Sequence, residues 1–400
     1  MAFLNNPILI LQAKRTPIGA FQGQLSSFKA WELGAQVIKA AALDFVQPEE
    51  VIMGCVLSAG QGQAPARQAT RLAFENDSIP TTTINKVCGS SLQAIALCCG
   101  LILSKQRHVM IAGGFESMTN APYLLTKGRG GYRAGHSLIF DHMQLDGLED
   151  AYAIGADEKR QPMGVFADLT AEKYGFTRKD QELFAKQTFD NFQSAENSGA
   201  FTDERISLTF TDAKGNLTVI KGDEPPTRVK PEKFEHLRPA FGKTGTVTAA
   251  TSSGIADGAA ALLLSSEEFY NETSSTLTPL ARVVGFNSYA TSPEWFTIAP
   301  VGAIQGLLND LDWTVNDVDL FEVNEAFAVV PIAAAQDLGI DRSKMNVHGG
   351  ACSLGHPIGA SGARIVVTLI HALRSRGLKR GIASACIGGG EAIAIAIESC

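Results

Sequence analysis

Cys88, Asn324, His356 and Cys386 each stand among small residues, where backbone and substrate can approach a reactive side chain closely. Cys88 lies in INKVCGSSLQAIALCCGLILS (84–104), between a β-branched run, Thr81–Val87, that reads as a strand and an apolar run, Leu92–Leu103, that reads as a helix buried all round. Gly89 lets the chain turn there, and Ser90 and Ser91 are positioned to cap the helix start. A thiol with an ordinary pKa of about 8.5 is only a few per cent ionised at pH 7. A helix terminus contributes roughly 0.3–1 kcal/mol, less than one pKa unit, so a nucleophilic Cys88 needs a neighbouring base. His356 fits that need: followed by Pro357 at what reads as a helix start, it has the dipole disfavouring its cation. Cys386 precedes Gly388–Gly390, whose exposed amides suit a developing oxyanion, and Asn324 at a strand end can orient a water or an oxygen.

Each position also has a plainer reading. A cysteine beside a buried helix is commonly a small core residue, a histidine after glycine a structural one, and an asparagine at a strand end a turn cap. Cys98 and Cys99, inside the helix, read as core, because adjacent side chains on a helix diverge by about 100° and cannot close on one ion. Zinc on Cys88, His356 and Cys386 lacks any close-spaced ligand pair. Gly60-x-Gly62 after a strand imitates a dinucleotide fingerprint, but Pro65 occupies the third glycine position.

The whole chain limits the classes. Its 400 residues exceed one ordinary core, and 45% hydrophobic with 19% charged residues is a globular composition. A net charge of −7 argues against nucleic acid as a partner. Seven scattered cysteines fit a reducing compartment better than a disulfide framework. Near the start, Ile8–Leu11 is an apolar run of four, too short for a signal-peptide core, and no window approaches a membrane span. The expectation is a cytoplasmic protein without membrane association, or an organelle-matrix one if a presequence has been removed.

The elements expected to position these groups follow a βαβ order. Pro7–Gln12 (strand), Lys14–Gly19 (turn), Trp31–Leu43 (helix), Val51–Ser58 (strand), Arg67–Glu75 (helix) and His108–Gly114 (strand) precede a change of texture near Tyr123. The polar stretch that follows carries the Gly/Arg-rich loop TKGRGGYRAGH (126–136), helices at Asp168–Tyr174 and Arg178–Asn197, the second with a Thr177/Asp180 capping box, and a hairpin in Phe210–Glu224. Small-residue α/β texture returns at Gly245–Leu264. The last part then repeats the first: strand Ala281–Phe286, helix Ala303–Leu311, strand Asp319–Val323, helix Val329–Leu338, a short strand near Met345–His348, helix Arg364–Leu373 and strands 381–386 and 391–398. This order predicts an internal duplication that brings two helix-start turns, and with them Cys88 and His356, face to face.

NKVCGSS (85–91), NEAFA (324–328), GGACSLGHPIGASGAR (349–364) and CIGGGEA (386–392) resemble the signature blocks of the thiolases, in family order. SAGQGQAPARQA, LRPAF and TVTAATSSGIADGAA extend the resemblance over nearly the whole chain. It implies a layered αβαβα fold of two similar halves: residues 1–122 completed by 249–273, an inserted loop domain at 123–248, and residues 274–400. It implies Cys88 as the acylated nucleophile, His356 as its activator and Cys386 as the acid/base at the α-carbon. Asn324 holds a water that forms one oxyanion hole with His356, and the amides of Cys88 and Gly388 form the other. Ser253, Leu148, Met163, Phe241 and Phe327 match coenzyme A and acyl-chain positions, with Arg228 for the adenosine phosphates. The implied partners are acetyl-CoA, acetoacetyl-CoA or another 3-ketoacyl-CoA, and CoA, in a homo-oligomer (tetramer or dimer), with no metal and no cofactor beyond the thioester substrates. The implied reaction is condensation of two acetyl-CoA, reversible as thiolysis. The alternatives are a degradative member for longer chains, a decarboxylating ketoacyl synthase, against which NEAFA and the second cysteine speak, and a non-catalytic acyl-CoA or lipid carrier. One departure concerns chain length: many short-chain members have His-Met-Gly where this chain has Pro162-Met163-Gly164, and Ile154–Gln161 looks lengthened.

Overall fold

The computed structural model describes residues 6–43, 46–154, 160–211, 215–273 and 277–400. Nine strands form the main sheet: β1 Ile8–Arg15, β2 Glu50–Gly54, β3 Thr81–Ile84, β4 Val109–Ser117, β5 Ala256–Ser265, β6 Ala281–Ala290, β7 Leu320–Val323, β8 Arg380–Ile387 and β9 Glu391–Ser399. A two-residue strand, Gly19–Ala20, pairs with β5. The principal helices are α1 Ala30–Ala41, α2 Pro65–Phe74, α3 Ser90–Leu103, α4 Met163–Tyr174, α5 Arg178–Asn197, α6 Ala299–Leu311, α7 Val329–Leu338 and α8 Ser361–Ser375.

The duplication is visible in strand order. From a seam where β1 pairs antiparallel with β6, one side runs β1-β5-β4-β2-β3 and the other β6-β9-β8-β7. On both sides the first two pairings are antiparallel and the next parallel. The counterpart of β3 is a single parallel bridge, Phe321 to Met345, so the strand expected near Met345–His348 is reduced to one contact. Asn346 explains the truncation: its φ of 47° turns the chain, and its side chain replaces a ladder by bonding both backbone groups of Val323.

Side-chain alternation then makes layers. Ile8 and Ile10 of β1 join α3, α8 and inward residues of both half-sheets in one central core. Leu9 and Leu11 face α1 and α2, while Ile382 and Cys386 of β8 face α6 and α7. Five layers result, with α3 and α8 sandwiched between the half-sheets. The first thirteen residues of α8 are buried, and this helix, rather than α3, is buried all round. Leu97 of α3 is 42% exposed.

Close backbone approach fixes the centre. A Cβ on Gly114 would lie 2.0 Å from the carbonyl oxygen of Gly359, so the loop before α8 rests directly on the end of β4. Between β4 and β5 the chain makes its long polar excursion, which includes α4, α5 and the hairpin Leu208–Thr211/Leu217–Ile220. The capping box at Thr177 is present, and α5 spans the expected Arg178–Asn197.

Candidate active site

Cys88 sits on a strained turn. Strand β3 ends at Ile84, three residues short of the expected Val87. Asn85 Oδ1 accepts from the amide of Val87, whose φ is 47°. A β-branched residue in the left-handed region costs about 1–3 kcal/mol, strain that tertiary packing must hold. Neither serine caps α3. Ser90 Oγ accepts from the Lys86 amide (2.8 Å) and donates to the Val87 carbonyl (2.7 Å), locking the turn. Ser91 Oγ accepts from the Ala363 amide (2.8 Å), so it caps the first turn of α8, the helix of the other half.

The second thiol arrives from β8. Gly389 and Gly390 (φ 95° and 93°) close a tight turn between β8 and β9. The turn aims the amide of Gly388 at the sulfur of Cys88, whose own amide is the second donor to it. Cys88 keeps an edge open to solvent, yet burial pushes its thiol up to about 11, with those two amides acting in the opposite sense. Cys386 is fully buried and its thiol is raised by burial and then by proximity to Cys88. Lys86 pairs with Glu391, tying the two turns together at the surface. The thiols therefore meet in their protonated forms.

His356 does not open a helix. It lies in the loop between the short helix Ala351–Leu354 and α8, because the Pro357 carbonyl collects the amides of Ala360 and Ser361 and delays the helix start. The His356 amide donates to Gly254 O (2.9 Å), and Nδ1 lies 2.5 Å from Ser361 Oγ. Burial, then the cation of Arg364, lower the imidazole pKa to about 3, so the ring is neutral. Among the described residues, His356 Nε2 and both amide atoms of Asn324 are buried without a protein hydrogen-bond partner. Asn324 itself is held by its amide, which donates to Ser384 O of β8 (2.9 Å). The next residue, Glu325, is buried and accepts from Thr188 Oγ1, Asn346 Nδ2 and the Cys352 amide, which fixes the strand end beside the His356 loop.

The binding candidates distribute unevenly. Leu148 packs with Cys88 on a cluster of Val56, Leu57, Met118, Met143 and Ile358. Met163 lies where a Cβ on Gly388 would be 3.1 Å from its Cε. Phe241 covers Gly164 and stacks edge-on to Phe327 at 5.8 Å. The Ser253 amide donates to Ala326 O (3.0 Å), so residues 253–254 bridge the NEAFA segment and His356. Arg228 is exposed and paired with Glu224 one turn earlier; a phosphate would have to open that pair. Most of the lengthened segment Ile154–Gln161 lies outside the described residues.

Three contributors went unread in the sequence. Glu116 is fully buried and accepts from the amides of Val56, Leu57 and Gly359 (3.0–3.1 Å), clamping both halves under the thiols. A carboxylate after Gly113-Gly114 at the end of an apolar strand was the available signal. Tyr152 covers Gly389, and Ser361 holds the imidazole. Cys88, His356 and Cys386 do not form a zinc set; among the described residues no three such donors do.

Comparison with known proteins gives a consistent family. The model for the thiolase N-terminal domain matches residues 8–268 and that for the C-terminal domain residues 277–399. The chain is 43% identical to an acetyl-CoA acetyltransferase of Cupriavidus necator, over 98% of this chain and 99% of that one. It is 41% identical to a probable acetyl-CoA acyltransferase of Staphylococcus aureus, with 98% of each covered. Among solved structures, the Bacillus anthracis acetyl-CoA acetyltransferase superposes with a TM-score of 0.94 at 37% identity, covering all of both chains. A thiolase from Ascaris suum, solved with coenzyme A, gives 0.90 at 40% identity over 98% of this chain and 100% of the other.

Proposed function

The chain belongs to the thiolase family, and we propose that it is an acetyl-CoA acetyltransferase that condenses two acetyl-CoA to acetoacetyl-CoA and CoA, and runs in reverse as thiolysis. The observation that carries the residue assignment is the proximity of Cys386 to Cys88, from opposite ends of the chain, with the amide of Gly388 donating to the Cys88 sulfur.

In the first half-reaction His356 Nε2 takes the Cys88 proton and the sulfur attacks the thioester carbonyl. The C–S bond to CoA breaks, and Cys386 gives its proton to the departing sulfur. Acetyl-Cys88 is left beside an imidazolium and a thiolate, so the pocket stays neutral overall. In the second half the Cys386 thiolate takes the α-proton of a second acetyl-CoA. The carbanion attacks acetyl-Cys88, whose sulfur leaves and recovers the proton held by His356. The amides of Cys88 and Gly388 face the acetyl oxygen on Cys88, while a water on Asn324, with His356 Nε2–H, receives the enolate oxygen. Two sulfurs are needed because one is acylated while the other must act as base.

Leu148, Met163, Phe241, Phe327 and Ser253 line the approach for the pantetheine and acyl group, and Arg228 stands at its outer end. This reading keeps residues 123–248 as a loop domain inserted in the first half (1–122 with 249–273), followed by 274–400. It also places the enzyme in a reducing, cytoplasmic compartment as a homo-oligomer; exposed Tyr123, Leu125, Leu138 and Ile139 supply apolar surface for such contacts. Pro162 in place of histidine, next to flexible Met163, favours one second reading, a thiolase for longer 3-ketoacyl-CoAs.

Incubation with acetyl-CoA should add about 42 Da, one acetyl group, to Cys88. A carrier would show no adduct, which would end the enzymatic assignment. Thiolysis across a ladder of 3-ketoacyl-CoAs separates the two enzymatic readings by where kcat/KM peaks.

A further inference from the structure

A single hydroxyl controls the other face of the imidazole that the mechanism relies on. Ser361 is 1% exposed and is the first residue of α8. Its Oγ lies 2.5 Å from His356 Nδ1 and 2.9 Å from the Pro357 carbonyl oxygen. A carbonyl accepts only, and a serine hydroxyl has one proton to give. With that proton on Pro357 O, Oγ faces Nδ1 with a lone pair, and Nδ1 must be the protonated nitrogen. Nε2, buried and without a protein partner, then carries the lone pair toward the pocket.

We propose that Ser361 is a positioning residue that fixes His356 as the Nδ1–H tautomer, making Nε2 the base for Cys88. The inference rests on the condensation mechanism above and adds a residue to it. The reverse arrangement, with the Ser361 hydroxyl donating to Nδ1, would put a proton on Nε2 and leave nothing there to accept the thiol proton. The chain Nδ1–H to Oγ–H to O=C runs in one direction, so each bond polarises the next. It also links the start of α8 to the base: the turn that delays the helix is the turn that orients the ring. Ser91, which satisfies the Ala363 amide of the same helix turn, holds Ser361 in register with the Cys88 helix.

The test uses the intact enzyme labelled with 15N in its histidine rings. The His356 signals, assigned by their loss in His356→Asn, should show a proton on Nδ1 and a bare Nε2. In Ser361→Ala the ring should move to a mixture of tautomers or to Nε2–H. Single-turnover acetylation of Cys88 by acetyl-CoA should slow roughly 10–100-fold, as for loss of other partners that orient a histidine. KM should change little, and Ser361→Thr, which restores the hydroxyl, should recover most of the rate. A wild-type spectrum with the proton on Nε2 overturns the proposal even if neither variant folds. Folded Ser361→Ala acetylating at the wild-type rate also overturns it. Wild-type enzyme that never acetylates Cys88 would instead defeat the functional reading, because the spectrum reports the tautomer without substrate.

Discussion

In the first half of the molecule the chain leaves β4 at Ser117 and rejoins the sheet only at Ala256; in the second it leaves β8 at Ile387 and is back at Glu391. The two connections occupy the same place in the duplicated strand order. The short one, three glycines long, is a tight turn between two paired strands, and it carries the amide aimed at Cys88. The long one brings Met143, Leu148, Tyr152 and Met163 over the thiols. On the proposed mechanism the short turn holds the chemistry and the excursion the substrate shape, a division that suits acyl transfer, in which donors must not reorganise while the acyl group varies.

The largest effects should follow substitution of the thiols. Cys88→Ala should abolish both acetylation and turnover. Cys386→Ala should still acquire the acetyl group yet lose condensation by about 10³-fold or more. Intact-mass spectrometry beside steady-state rates checks both, and normal condensation by Cys386→Ala would merge the two roles. Next, Asn324→Ala should cut kcat by roughly 10²–10³-fold with little change in KM, the loss typical of one oxyanion donor. A change confined to KM would move Asn324 from the rigid machinery to binding.

A third effect compares the turns that begin α3 and precede α8. One holds a thiol raised to about 11 and the other an imidazole lowered to about 3, so both are uncharged across the range between. The unfolded imidazole takes a proton below its ordinary 6.5 whereas the folded one does not until about 3. The unfolded state therefore binds more protons in that window, and stability should fall as pH drops through it, by about 1.4 kcal/mol per pH unit for this group. Denaturant titrations at pH 4 to 7 should be visibly flatter for His356→Asn. An unchanged slope would show that the imidazole is charged in the fold.

The smallest effect belongs to the excursion. Met163→Ala should leave acetylation of Cys88 within roughly threefold of wild type while shifting chain-length preference, since a Met side chain in a pocket contributes packing rather than charge. A loss as large as that of Asn324→Ala would break the division between the two connections.

The sequence alone carried the period-2 and helical patterns, the capping box at Thr177, the repeated order of elements and the four candidate side chains, because each depends on neighbours within a few residues. It misread what depends on distant contacts. Ser90 and Ser91 look like caps for their own helix, but the amide that Ser91 satisfies is Ala363, known only once α8 packs on α3. His356 looks like a helix start, but its amide bonds Gly254 O, about a hundred positions back in the chain, and the segment stays a loop until Ser361. Glu116 looks like the end of a strand until three amides from both halves converge on it. Residue types and local order are written along the chain, whereas the Gly388 donor to the Cys88 thiol and the partner of the Ser91 hydroxyl are groups hundreds of positions away. Desolvation and hydrogen bonding act through space, and only the packed layers bring those groups within reach.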